Sequence, residues 1–221
     1  MPAEPTNGRF AVAAKVGTTG PGLEFAARTS PRVNVRGGFN FFSYDVSDSR
    51  EDVNYDGHIR LHSIEGHVDF FPRAGNFHVS AGIIGYFTRP FSAELIAPPG
   101  NTITLGDTEF ISSPSDPMTG NASLDFHRVA PTITVGYGNI VPRKAGKHWS
   151  FPVEIGTAIS SRPDVKIALQ GTLCQRGGAC YNAATDPNVL GPLHDEEKKR
   201  SDNVSWLRFF PIITVGVAYR F

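Results

Sequence analysis

Ser205 to Phe221 reads S-W-L-R-F-F-P-I-I-T-V-G-V-A-Y-R-F, and its alternation decides the fold. Every second residue back from the end is apolar: Phe221, Tyr219, Val217, Val215, Ile213, Pro211, Phe209 and Leu207. The other register holds Arg220, Ala218, Gly216, Thr214, Ile212, Phe210, Arg208 and Trp206, small or charged near the end and bulkier further up. A period of two held this long marks a β-strand with two unlike faces. Alternation alone does not say which face is inside. A water-soluble barrel turns its apolar face inward, whereas a barrel in a bilayer turns it to lipid and keeps charge in the lumen. The stretch far exceeds an ordinary strand of about 5–6 residues, and a tilted membrane strand needs only about 9–11 to cross. Its charged face also carries the Gly and Ala that the crowded interior of a small barrel requires. Both features put lipid outside.

Composition bounds the class. The 221 residues carry 21 basic and 21 acidic side chains, so no strong field toward nucleic acid or acidic substrates is implied. No run of apolar residues is long enough for a transmembrane helix, which needs about 20. Long helical periodicity is absent, and Gly and Pro recur between alternating runs; the class is all-β. The opening M-P-A-E-P-T-N-G has neither a basic nor an apolar leader region and reads as a mature N-terminal tail, residues 1–8, bearing an initiator Met. Residues 9–221 are expected to form a single barrel domain.

Working outward from the last strand, seven more alternating runs are predicted, over 9–17, 23–30, 33–46, 58–71, 77–92, 123–138 and from Trp149 to about Ile167. The fourth changes phase, from Ile59, Leu61 and Ser63 to Ile64, Gly66, Val68 and Phe70, which suggests a β-bulge near Ser63 and Ile64. Short turns (S-P-R, P-R-A-G-N and N-I-V-P-R-K-A-G-K-H) fall on the side of the termini. Long polar loops near 47–57, 94–121 and 171–203 fall opposite, the second with a hairpin arm (T-I-T-L, T-E-F-I). Eight antiparallel strands in an up-and-down transmembrane barrel, short turns at one end and long loops at the other, account for this alternation of connections. Closure also removes the sheet edges that lipid cannot hydrogen-bond.

The ending Thr214-x-Gly216-x-x-Tyr219-x-Phe221 resembles the C-terminal assembly signal of bacterial outer-membrane proteins, read by the barrel-assembly machinery. With the strand count, the chain resembles the small eight-stranded outer-membrane proteins of the OmpA, OmpX and OmpW type. The segments K-V-G-T-T-G-P-G-L-E and S-P-R-V-N-V-R-G-G-F-N look like poorly characterised proteobacterial members of that group. The resemblance implies the bacterial outer membrane, termini in the periplasm and long loops outside. The expected partners are outer-membrane lipid, lipopolysaccharide and the assembly machinery, with no nucleic acid, and the expected state is a monomer. No cofactor and no metal are expected.

The inward register collects Lys15, Glu24, Arg28, Arg36, Glu65, Asp69, Arg128, Glu154, Arg208 and Arg220. These side chains read either as a gated polar pathway or as a salt-bridged filling, and an eight-stranded barrel is just wide enough for the filling, the reading preferred here. His58, His62, His67 and Asp69 fall on one run and are explained as barrel polar filler rather than metal ligands. Asp52 to Gly57 matches the opening of a calcium loop, but its twelfth position is Ser63, so a polar hairpin is expected. Cys174 and Cys180, the only cysteines, are expected to form a disulfide in the last long loop, given an oxidising exterior. His127 and His194 have no serine or carboxylate spacing that recommends a triad, so no catalytic residues are assigned and an enzyme is not expected. H-D-E-E-K-K-R, from His194, is read as a solvated loop. The expected role is structural or surface interaction; passage of small or hydrophobic solutes through the barrel or its wall is the alternative.

Overall fold

The computed structural model describes residues 8–50, 53–87, 91–144 and 146–221. The chain begins with β1 (Phe10–Gly17), β2 (Gly22–Ser30) and β3 (Val33–Asn40). β3 continues as β4 (Ser43–Arg50), which returns as β5 (Val53–Arg60) and β6 (Ser63–Phe70). β7 (Phe77–Tyr86) runs on into β8 (Phe91–Ile96), and a small hairpin follows, β9 (Thr102–Leu105) with β10 (Thr108–Ser112). β11 (Thr119–Asp125) leads back into β12 (Val129–Tyr137). β13 (Trp149–Ser150), β14 (Val153–Ile159), β15 (Asp164–Gln170), β16 (Thr172–Cys174) and β17 (Cys180–Asn182) come next. Helix α1 (Pro187–Asn203), a turn of 3-10 helix (Ser205–Arg208) and β18 (Phe209–Arg220) end it.

The strands β1-β2-β3-β6-β7-β12-β14-β18 pair in that order, and β18 pairs back onto β1, closing an eight-stranded antiparallel barrel. Alternation places side chains as an inverted barrel demands. Glu24 and Ala26 are buried, whereas Leu23 and Phe25 between and beside them are exposed. Phe10, Phe70, Phe77, Tyr137, Trp149, Phe151 and Phe221 make an exposed aromatic belt around the end that carries the termini.

Above the opposite end five strands continue as an open sheet, β15-β11-β8-β5-β4, and a second sheet, β17-β16-β10-β9, packs with α1 beside it. Together they bury a separate core of Ile103, Leu105, Phe110, Leu169, Leu173, Val189 and Leu193 with their neighbours. The expected hairpin arm is β9 and β10.

Where a polar loop is expected at 47–57, the chain forms the end of a hairpin whose strands pair from Val33↔Phe70 out to Arg50↔Val53. The calcium-like segment begins at Asp52, outside the described residues, and continues as regular strand in β5. No register shift interrupts that pairing near Ser63 and Ile64, so the expected bulge is not there. The expected tail also lies outside the described residues, except for Gly8.

The last long loop contains β16, β17 and α1 rather than irregular chain, and H-D-E-E-K-K-R is helical. Asp186 caps α1 by accepting from Asn188 N, Pro187 starts it, and Glu196 pairs with Arg200 one turn on. The helix lies along the free edge of β15: Val165 N donates to Ser201 Oγ and Ile167 N to Glu197 Oε1. An edge that would otherwise invite another strand is thereby covered. The final strand starts at Phe209, not Ser205, because its partner β14 ends at Ile159, opposite Phe209. Among the described residues no helix is long and apolar enough to cross a membrane.

Candidate functional site: the closed lumen

Three layers fill the barrel. At the end carrying the termini, Ile140 and Val141 from the 138–148 turn tuck inside against Ala11, Ala13, Ala26 and Ala218. Asn139 fixes that turn, its Oδ1 accepting from Asn34 Nδ2 at 2.9 Å and from Val141 N at 3.0 Å. At the far end Ile84, Ala130, Ala158 and Ile212 pack with Tyr86 and Phe210 as an apolar plug. Between the two lies charge.

Arg36 is the centre of that middle layer. It donates from NH1 to Glu24 (2.9 Å), from Nε to Asp69 (2.9 Å) and from NH2 to Glu154 (2.7 Å). Lys15 Nζ donates to Glu24 at 3.2 Å and also to Glu65. Neutral side chains complete the shell: Ser80 donates to Asp69, Asn40 to Glu65, and Thr134 to Glu154, which also meets His78 Nε2 at 3.1 Å. Glycines make room for it. A Cβ on Gly136 would stand 2.5 Å from His78 Nε2, and one on Gly82 would stand 2.4 Å from His67 Cδ2. Removing one partner from such a network strands the others in low dielectric, which typically costs about 3–5 kcal/mol.

The structure thus brings together Lys15, Glu24, Arg36, Glu65, Asp69 and Glu154. Arg28, Arg128, Arg208 and Arg220 stand apart from them. Arg28 is half-buried at the start of the barrel wall near Arg9 and Arg220, and buried Arg220 donates to Pro142 O. Arg128 is exposed at the junction of β11 and β12. Arg208 lies in the 3-10 turn, its guanidinium 5.0 Å from the Phe209 ring centre. Alternation assigns these arginines a face but not a depth, and only depth decides whether a side chain reaches the middle layer. His78, Ser80, Thr132 and Thr134 belong to the layer and were not singled out in the sequence. Their inward register was the available signal.

The four positions of the terminal signal divide by face. Thr214 and Gly216 look inward, paired with Gly17 and Lys15 of β1. Tyr219 and Phe221 look outward, with Tyr219 edge-on to Trp149 at 5.0 Å and to Phe221 at 5.6 Å. Cys174 and Cys180 form a disulfide across the paired strands β16 and β17.

Two further features sit outside the barrel. A cavity of about 820 Å³ lies against β5, β8, β11, β15 and α1, lined by His58, Glu94, Ser123, Lys166, His194 and Glu197 among others. Nearby, Asp45 binds Arg60 and His58, each at 2.7 Å, and these two hold its carboxyl down to about 2. Ser43 Oγ and His62 Nε2 are 3.1 Å apart on the exposed hairpin, but Asp45 is engaged by His58 and Arg60 rather than by His62.

A closed up-and-down barrel with an apolar exterior and an ion-paired interior is therefore the class of protein. No protein-family profile matches the chain, and no curated protein sequence does. Its fold is similar to that of solved structures of CarO and CarO2 from Acinetobacter baumannii. CarO superposes with a TM-score of 0.55 at 19% identity, over 96% of this chain and 97% of CarO. CarO2 gives 0.57 at 20% identity, over 96% of this chain and 98% of CarO2.

Proposed function

We propose that the protein is a barrel of the bacterial outer membrane with a structural or surface-interaction role and a lumen that does not conduct. The observation that carries this is the filled interior: an apolar plug, an ion-pair layer and an inserted turn lie in series across the axis. An exterior of Phe, Ile and Val suits hydrocarbon, and a closed sheet leaves no unpaired edge within it. In this reading the termini and short turns are periplasmic, while the extension, with its cavity of mixed charge, faces outward to lipopolysaccharide and to partners at the surface. Thr214, Gly216, Tyr219 and Phe221 serve insertion by the assembly machinery. The protein acts as a monomer, without a catalytic step.

Passage of solutes through the wall is the second reading, and Pro211 is what favours it. This residue removes a backbone donor from β18 in the upper barrel, where Thr18 Oγ1 mends the seam by donating to Pro211 O at 2.7 Å and accepting from Ile213 N at 3.2 Å. Planar-bilayer recording with the purified protein separates the two. Silence is expected, and discrete single-channel openings would replace the scaffold reading with transport.

A further inference from the structure

The middle layer does not balance. Among the described residues the four carboxylates Glu24, Glu65, Asp69 and Glu154 meet two full cations, Lys15 and Arg36, with the His78 imidazole beside Glu154, so carboxylates outnumber the lysine and arginine that face them. A surplus of buried carboxylates is the arrangement that proteins avoid by neutralisation or by binding a counter-ion. The imbalance has a location. Glu24, Glu65 and His67 each offer a ligand atom within 4.8 Å of the others, and all three are buried.

His67 supplies an independent sign. Its side chain is more than nine-tenths buried, its Nε2 is 3.1 Å from Thr132 Oγ1, and its Nδ1 has no hydrogen-bond partner. The Cδ2 edge of the ring lies over Gly82 of β7, so Nδ1 looks the opposite way, toward β3, where Arg36 is the cross-strand partner of His67, and toward β2 beyond it, which carries Glu24. With Nε2–H donating to the Thr132 hydroxyl, Nδ1 presents a lone pair, the outer hydrogen bond that metal-bound imidazoles characteristically make.

We propose that Glu24, Glu65 and His67 form a buried site for one divalent transition-metal ion of the zinc or manganese kind, captured as the barrel folds. Two carboxylates and one imidazole suit such ions. A single dipositive ion also offsets the surplus of carboxylates over Lys15 and Arg36 while Lys15 keeps its own charge, Lys15 Nζ withdrawing from the space between Glu24 and Glu65. Packed side chains stand at both ends of the layer, Ile140 and Val141 at one and Ile84 and Ile212 at the other, so uptake is assigned to folding rather than to the finished barrel.

The test begins with full-length protein unfolded in metal-free urea and refolded in detergent with stoichiometric zinc, manganese or cobalt, or with EDTA. About one ion per chain should survive desalting, cobalt should give visible d–d absorption, and the thermal midpoint should rise by roughly 5 °C or more at metal about a hundredfold above Kd. Glu65→Gln and His67→Gln should each abolish retention, and Thr132→Val should weaken it about 10-fold. The rival occupant is the proton, shared or held singly by Glu24 and Glu65. A wild-type barrel that refolds equally in EDTA, keeps no ion and shows no cobalt bands overturns the metal site, whether or not the variants fold. Retention undiminished in His67→Gln overturns it too, by placing the ion elsewhere.

Discussion

The barrel and its extension are inside out with respect to each other, although one hairpin builds part of both. From Val33↔Phe70 to Arg50↔Val53 the pairing keeps one register, and Phe42 and Leu61 bond each other across the junction. In the barrel half Val35, Phe39, Ile64 and Val68 point out, while Asn34, Arg36, Glu65 and Asp69 point in. Beyond the junction the same outward register holds Asp45, His58 and Arg60, and the inward one holds Tyr44, Val46, Ile59 and Leu61. The strand does not turn over; its surroundings do. In the proposed membrane setting the outside of the barrel is hydrocarbon and the apolar side faces out, whereas above it the outside is water and the apolar side seeks cover. For β8, β11 and β15 that cover is supplied, since Leu95, Ile167 and Leu169 pack with Val189 and Leu193 of α1. Over β4 and β5 it is not, and Tyr44, Val46 and Tyr55 remain exposed.

The sharpest break between the two regions should appear on removing Arg36. Arg36→Met leaves Glu24, Asp69 and Glu154 without their shared cation, and a loss of about 3–5 kcal/mol is expected in urea unfolding of the refolded barrel. The extension offers a control of the same kind: Arg200→Met removes a pair exposed at the arginine, where an effect within about 1 kcal/mol is expected. Equal losses at the two sites would mean that the middle layer is wetter than its burial implies.

This comparison also explains what was legible in the sequence and what was not. The strand count, the closure and the inward face of β18 follow from alternation, because period two survives whichever solvent lies outside. The phase change at Ser63–Ile64 was visible as well but admits two causes, an extra residue or a change of solvent, and sequence alone favoured the extra residue. The unbroken pairing excludes the extra residue and leaves the change of surroundings. Helix α1 was hidden for a different reason: its apolar side is little more than Val189, Leu190 and Leu193, and charged residues fill the rest. Its cap, Asp186 followed by Pro187, was the signal available. Lys15, Glu24 and Arg36 were readable as inward, but not the three-carboxylate geometry around Arg36, which depends on strands far apart in sequence.

A second, smaller effect tests the inversion directly. Ile133, half exposed at the middle of β12, faces outward in the barrel, and Thr119, exposed on β11, faces outward in the extension. Ile133→Arg should cost about 2–4 kcal/mol in lipid vesicles, as an arginine on a lipid face near the bilayer midplane does. Thr119→Arg should change stability by less than about 0.5 kcal/mol, the usual range for a surface site. Matching costs in vesicles would show that both positions meet the same solvent and that the boundary near Phe42 and Leu61 is misplaced.

The smallest expected effect is a titration, and it belongs to the wet side of that boundary alone. Asp45 is fully exposed, yet its bonds to Arg60 and His58 lower its carboxyl from an ordinary value to about 2. A carboxyl whose folded value is depressed contributes its stabilisation above its unfolded value, near 4, and loses it as pH falls toward the folded one. Amide exchange along β4 and β5 should therefore quicken slightly between about pH 4 and 2, relative to the pH trend of the barrel amides. Asp45→Asn should remove that change while leaving the barrel amides as they were. Solvent screens so exposed a pair, so the change should stay local and shrink further in high salt. An Asp45 carboxyl resonance that titrates near 4 would show that neither Arg60 nor His58 holds it in solution.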